Sequence, residues 1–204
     1  MANDLLPLFP LRLVLLPGEI LPLHIFENRY KEMIEECRET KRPFGIVLAA
    51  ESGFRSAGCT ARLTEVTEEF PDGRMNIMTR GEDRFRILRI HRDHSYLTAE
   101  AEYFDDQPED STESRPSIAL TEKIIAAILD KLEDADLISD EIRRDPKKLS
   151  FLAGAVLGLS VREKQILLES ESARERLNIL AGIFAGRSGH FQKKDALRNG
   201  HPRR

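Results

Sequence analysis

The chain has 204 residues, of which 41% are hydrophobic and 32% are charged, and its formal net charge is −4. A chain of this length buries roughly 70% of its unfolded surface, so it needs no disulfide or metal to fold. No window of about 18 uncharged apolar residues occurs, which excludes a membrane-spanning helix. There are only two cysteines, Cys37 and Cys59, and the first residues lack the basic segment of a secretion signal. We therefore expect a cytoplasmic protein.

The first 22 residues combine apolar side chains with four of the ten prolines. Because proline has no backbone N–H and a fixed φ, this segment predicts short, bent, buried strands rather than a helix. Pro17-Gly18 predicts a type II turn with Gly18 at positive φ. A helix follows, because its apolar residues are spaced at i, i+3, i+4 and i+7. These residues are Tyr30, Met33, Ile34 and Cys37.

Five more strands are predicted in the next part of the chain. Pro71-Asp72-Gly73 predicts a hairpin turn between two of them. Gly81 is expected to interrupt the pattern, and the change of phase between Ile87 and Leu88 predicts a β-bulge. The predicted strands cover residues 44–50, 61–66, 75–79, 84–90 and 97–103.

The spacing of the apolar residues changes from that of a strand to that of a helix after an acidic stretch. Residues 105–114 contain five acids and no large apolar residue, so residues 105–115 predict a linker between a β-rich part over 1–104 and a helical part over 116–186. Residues 187–204 carry six basic residues and one acid, a net charge of +5, and we expect a flexible tail there.

Start and stop signals divide the helical part. Asp145-Pro146 predicts a helix start and Gly158 its stop, Ser160 and Ser172 predict capped helix starts, and Gly186 predicts the end of the last helix. An earlier helix is predicted from its apolar stripe, which consists of Ile124, Ile125, Ile128, Leu129 and Leu132.

Three segments near the start carry a family resemblance. The chain reads P-L-F-P-L over residues 7–11, V-L-L-P-G over 14–18 and L-P-L-H-I-F-E-N-R-Y over 21–30. This resembles the opening of the Lon N-terminal domain family, which are the substrate-recognition domains of the ATP-dependent Lon protease and their free-standing relatives. Residues 81–87, 159–169 and 175–177 are similar to later parts of that family. The resemblance implies an α+β fold, with a PUA-like β-barrel followed by a small helical bundle.

The positions that carry the resemblance are candidate site residues, with a structural or a client-binding role. They are Pro10, Leu11, Pro17, Gly18, Pro22, Leu23, Phe26, Glu27, Arg29, Tyr30, Gly81, Arg84 and Phe85.

No catalytic motif is complete in this sequence. Residues 53–60 have the glycine spacing of a P-loop, but Cys59 replaces the phosphate-binding lysine. We expect a structural hydrogen bond for His24 and a surface turn for His91 and His94. Glu27 is interpreted as a helix cap or salt-bridge partner. The carboxylate pairs Glu68-Glu69 and Asp105-Asp106 are interpreted as solvated surface, because no apolar surroundings would raise their pKa.

The resemblance implies a function in protein binding without catalysis. It implies that the chain binds unfolded or client polypeptide segments as an adaptor, with a protease or a chaperone as a candidate partner, and with no cofactor, metal or membrane. The candidate surfaces are the apolar residues over 5–23 and the stripe over 124–132, unless both belong to the core. RNA binding is the alternative, because the PUA-like fold recurs in RNA-binding proteins. We expect no nucleic-acid partner, since the body is acidic and contains no tryptophan.

Overall fold

The computed structural model describes residues 5–51, 53–108, 117–131 and 138–198, with side chains described as far as residue 185. No helix in this part of the chain is long and apolar enough to cross a membrane. The strands are β1 (Leu6–Leu11), β2 (Ile20–Ile25), β3 (Phe44–Ala50), β4 (Gly53–Glu69), β5 (Met75–His91) and β6 (Leu97–Phe104). The helices are α1 (Asn28–Thr40), α2 (Ile118–Leu129), α3 (Asp140–Arg144), α4 (Pro146–Val156), α5 (Val161–Glu169) and α6 (Ala173–Arg198).

The six strands form one mixed sheet in the order β2-β5-β4-β3-β1-β6. Only β1 and β3 pair in parallel, and a further pairing of β5 with β6 closes a ring of five strands. β4 and β5 have 17 residues each, whereas the other strands have six to eight, so their far ends extend beyond the ring. There β5 also pairs with β2. The fold is α+β as expected, but the sheet is less regular than the barrel that the resemblance implied.

The predicted helix after the proline-rich segment is confirmed as α1. Tyr30, Met33, Ile34 and Cys37 are its buried residues. They pack in the largest apolar cluster together with Leu16 and other residues of the sheet. Burial of a side chain the size of methionine or isoleucine stabilises the fold by about 1.5–3 kcal/mol. This helical face therefore holds α1 against the sheet.

The predicted turn at Pro17-Gly18 is also confirmed. The Glu19 N–H donates to the Leu16 carbonyl at 3.1 Å, and Gly18 has a φ of 81°. The Gly18 N–H then donates to the Gly81 carbonyl at 2.8 Å, and the Gly81 N–H donates to the Glu19 carbonyl at 2.9 Å. The expectation that Gly81 interrupts a strand is wrong, because β5 continues through it. The glycine instead permits close approach, since a Cβ there would lie 2.2 Å from the Leu16 carbonyl oxygen.

The remaining strand predictions agree with the structure except at the start of β4. The hairpin turn has Gly73 at a φ of 78°, and the register of β5 against β6 shifts between Ile87 and Arg89, which is the predicted bulge. β4 begins at Gly53, eight residues earlier than expected. Gly58 lies in this early part, and it allows close packing, since a Cβ there would lie 2.6 Å from the Phe85 ring.

The helical part follows most of its start and stop signals. The Asp145 side chain caps α4 by accepting from the N–H groups of Lys147 and Lys148, and Ser160 forms a capping box at α5. Gly158 has a φ of 62°, as a helix stop requires. The short helix α3 is not predicted by the sequence pattern, because five residues are too few to show a period.

Of two further predictions in the helical part, one is wrong and the other is confirmed for the described residues. Gly186 does not end the last helix, since α6 continues to Arg198; glycine inside a helix costs about 1 kcal/mol relative to alanine but does not stop it. Ile124 and Ile128 of the predicted stripe are buried in a second apolar cluster. Leu132, residues 109–115 of the predicted linker and residues 199–204 of the predicted tail lie outside the described residues.

Candidate functional site

The sheet and the helical part are separated by a cleft of about 920 Å³. One wall consists of the turn over residues 17–20, the middle of β5 over 80–84 and the end of β6 over 103–105. The other wall consists of α3 and α4. Residues far apart in the sequence therefore meet at this cleft.

Apolar side chains are exposed at the cleft. Ile20 and Tyr103 are 51% and 55% exposed on the sheet side. Leu152 and Val156 of α4 are partly exposed on the opposite wall. An exposed apolar surface in a concavity is typical of a binding site.

The charged residues around the cleft occur mainly in pairs. Lys164 donates to Glu19 at 2.5 Å, and both side chains are 16% exposed. Lys147 lies 2.6 Å from Asp105, and Lys148 forms a hydrogen bond with Glu141. Because these charges neutralise one another, the cleft presents apolar side chains on both walls rather than a field of one sign.

A buried ionic cluster supports the end of the cleft. The Arg84 and Arg176 side chains are 1% and 0% exposed, and both donate to the Asp106 carboxylate, Arg84 at 2.6 Å and Arg176 at 2.7 and 2.6 Å. The two guanidinium groups also lie over the ring of Phe151, at 5.3 and 4.2 Å from its centroid. Burial lowers the pKa of Arg84, and the charge of Asp106 opposes this shift. The cluster joins β5, the segment after β6, α4 and α6.

The interpretation of Asp105-Asp106 as solvated surface is wrong for Asp106, whereas Asp105 is exposed as expected. The Asp106 side chain is only 16% exposed and is shared by two arginines. Asp105 is 67% exposed, but it pairs with Lys147, and the hydrogen bond from Lys147 lowers the pKa of the Asp105 carboxyl against the effect of burial. The sequence offered one signal for this cluster, because Arg84 is among the positions of the family resemblance.

The candidate site residues do not converge on one place. Pro17, Gly18, Gly81 and Arg84 line the cleft. Pro10, Arg29 and Tyr30 line a second, smaller cavity. Leu11 and Leu23 pack against the main core, Phe85 is buried in a third apolar cluster, Pro22 and Phe26 are exposed, and Glu27 is half-buried.

The histidines of the sheet and Glu27 make structural contacts. His24 Nδ1 lies 2.7 Å from Asn76 Oδ1, which is the expected structural hydrogen bond, and Glu27 accepts from Arg29, which is the expected salt bridge. His91 is the last residue of β5 rather than part of a turn, and it contacts Glu100 at 2.9 Å. His94 is exposed after that strand.

Neither cysteine is set up as a nucleophile. Burial raises the pKa of Cys37 to about 11 and raises the pKa of Cys59 as well. Within the described residues, no group of three or more His, Cys, Asp or Glu side chains is arranged to hold a metal ion.

The sequence is similar to one part of much longer proteins. The Lon protease of Escherichia coli (strain K12) is 24% identical over 213 residues, an alignment that covers 95% of this chain and 26% of that protein. The Lon protease of Flavobacterium johnsoniae is 25% identical over 186 residues, covering 84% and 22%. This chain thus spans about a quarter of the length of the curated relatives that it matches.

Two solved structures share the fold. A Lon N-terminal domain protein from Xanthomonas campestris superposes with a TM-score of 0.70 at 27% identity, covering 88% of this chain and 98% of that one. The N-terminal domain of the Mycobacterium avium complex Lon protease superposes with a TM-score of 0.67 at 24% identity, covering 87% and 96%. The sequence profile of the substrate-binding domain of the ATP-dependent protease La (LON) matches residues 5–185. Because this match covers most of the chain, the chain belongs to the Lon substrate-binding domain family.

Proposed function

We propose that this chain binds extended, unfolded segments of other proteins in the cleft between its sheet and its helical part, without catalysing a reaction on them. The observation that carries this proposal is the exposed apolar surface of the cleft, to which Ile20 and Tyr103 contribute from the sheet-side wall. The family name supports it, since the matched domain is described as substrate-binding.

The shape and the charges of the cleft fit a polypeptide better than a small metabolite. A volume of about 920 Å³ is near the upper end of the range for small-ligand pockets, so several side chains fit at once. Because the charges along the walls are paired, the cleft has no strong preference for a polypeptide of one sign of charge. A chain that binds clients in this way would act as an adaptor in the cytoplasm, and a protease or a chaperone would receive the client.

The proposal is tested with a reduced, carboxymethylated lactalbumin as the unfolded protein. We expect Ile20→Asp to weaken this binding by about ten-fold or more, because it removes apolar contact worth about 1.5–3 kcal/mol and places a charge in the cleft. The matched control is Leu88→Asp, on a strand residue that is 64% exposed and lies outside the cleft. Equal binding by both variants would contradict the location of the site.

Salt dependence separates this function from RNA binding. Apolar recognition changes little between low and high salt, whereas the logarithm of the affinity for a single-stranded nucleic acid falls by about 0.7 per phosphate contact for each log unit of salt. We therefore expect lactalbumin to stay bound at high salt, while any binding of a mixed RNA pool is lost there and on deletion of residues 187–204. Salt-resistant RNA binding with no affinity for lactalbumin would reverse the assignment. In the same samples we expect no hydrolysis of ATP or casein.

A further inference from the structure

A second cavity, of about 470 Å³, lies at the end of β6 that is remote from the cleft. Four separate parts of the chain form it: the end of β1, the start of α1, the start of β4 and the connection from β5 to β6. We propose that this pocket binds a small anionic ligand, in which a phosphate or carboxylate group is attached to a planar ring.

The floor of the pocket is held in place by contacts with the core. Tyr30 is 7% exposed and packs against Phe9, with 4.1 Å between the ring centroids and 32° between the ring planes. Tyr96 is 5% exposed, and its hydroxyl donates to the carboxylate of Glu36 on α1. A floor that is formed before the ligand arrives lowers the entropy cost of binding.

The charged side chains that line the pocket are two arginines, Arg29 and Arg92. The imidazole of His94 lies beside them, and within the described part of the chain no carboxylate lines the pocket. Arg92 makes no ion pair with any described residue. Arg29 is held by Glu27, but their side chains are 50% and 42% exposed, and an ion pair that exposed is weak enough to exchange for a ligand.

The other acids near the pocket compete little for these cations. Glu32 accepts a hydrogen bond from the Ser95 hydroxyl. Asp93 follows Arg92 in the sequence, but it is 84% exposed and lies 4.0 Å from His91. Solvent screens a carboxylate in that position.

The side chains match the two parts of the proposed ligand. A guanidinium group binds carboxylate and phosphate oxygens through paired N–H donors, and two such groups border the pocket. His94 is exposed and stacks on Tyr96, with 5.5 Å between the ring centroids and 15° between the planes, so this pair offers a surface for a planar ring. The volume of about 470 Å³ is within the range of small-ligand pockets.

The test is a titration followed by ¹H–¹⁵N NMR with four probes. Adenosine monophosphate is compared with adenosine, and benzoate with benzyl alcohol, so that each anion has an uncharged partner and the two arms distinguish phosphate from carboxylate. We expect at least one anion to shift the resonances of residues around Tyr30 and Tyr96 more than its uncharged partner does. Arg92→Gln should weaken that binding by about ten-fold or more, because it removes a charged hydrogen-bond donor.

The matched control is Arg89→Gln, which removes an arginine that is 72% exposed on the same stretch of chain but outside the pocket. Its affinity should stay within about two-fold of the unaltered protein. The proposal is overturned if neither anion binds at millimolar concentration, if the uncharged probes bind equally well, or if Arg89→Gln loses as much affinity as Arg92→Gln. It does not depend on polypeptide binding in the cleft, which is tested with different residues.

Discussion

At the scale of single residues, two glycines hold the proline-rich start of the chain on β5. Gly18 and Gly81 exchange backbone hydrogen bonds with the opposite segment, and a Cβ on Gly81 would lie 2.2 Å from the Leu16 carbonyl oxygen. Gly18 has open space around it but a φ of 81°. One glycine is therefore required for space and the other for backbone conformation. Together they place Ile20 at the cleft.

A comparison of two Gly→Ala variants isolates the effect of backbone conformation on stability, because neither glycine is crowded. Gly18→Ala should destabilise the protein by about 1 kcal/mol, because an L-residue is strained in the left-handed region. Gly182→Ala is the control, since Gly182 also has open space around it but lies inside α6; it should stabilise by about 0.5–1 kcal/mol. Urea denaturation measures both changes. An unaltered midpoint for Gly18→Ala would contradict the strain at this turn.

At the scale of elements, α5 connects the helical part to the sheet. Its Gln165 side chain donates to the Ala57 carbonyl of β4 at 3.2 Å, and Lys164 pairs with Glu19 beside the cleft. Leu167 and Leu168 are buried in different apolar clusters, one in each part of the molecule. A helix of nine residues is marginal alone, so its cap and its packing must hold it.

The cap of α5 supplies a test at this scale. Ser160→Ala removes the acceptor for the Glu163 N–H and should lower the free energy of unfolding by about 1 kcal/mol. Ser160→Asp keeps an acceptor at the same position and should retain most of that stability. Thermal unfolding of the two variants measures the difference. Equal losses in both would mean that the hydroxyl has another role than capping.

At the scale of the whole molecule, the cluster of Arg84, Arg176 and Asp106 joins the two parts of the fold. The buried guanidinium groups come from β5 and α6, and Ser150 of α4 accepts from Arg176 Nε at 2.8 Å. Removal of one partner from a buried ionic group leaves charge without compensation in a medium of low polarity. The carboxylate of Asp106 therefore holds both sides of the molecule at the end of the cleft.

The neighbouring aspartates give a matched pair of variants. Asp106→Ala should lower the free energy of unfolding by about 3–5 kcal/mol, because two buried arginines lose their shared carboxylate. Asp105→Ala should cost less than about 1 kcal/mol, because this side chain is 67% exposed and its pairing is screened by solvent. Urea denaturation gives both values. Similar losses of unfolding free energy for the two variants would show that the low exposure of Asp106 does not determine how much it contributes to stability.

The sequence predicted the features that depend on neighbours in the chain. The alternation over residues 97–103, the turn at Pro17-Gly18 and the cap at Ser160 are each set by contacts within a few residues, so their local pattern is sufficient. The start of β4 was missed, because Ser56, Ala57 and Gly58 carry no strand signal of their own. The need for a glycine at position 58 is explained by Phe85, which packs against it from another strand.

The sequence by itself determined the family, the α+β class and most of the elements, because these depend on local spacing and on the motifs over residues 7–30. Only the tertiary structure decided that the Asp106 side chain is 16% exposed whereas that of Asp105 is 67% exposed. It also decided that the candidate residues do not form one site, since Arg84 lines one cavity, Arg29 lines another, and others belong to the core or the surface. The physical reason is that burial and charge pairing depend on which distant segments meet. No pattern within a few residues records that information.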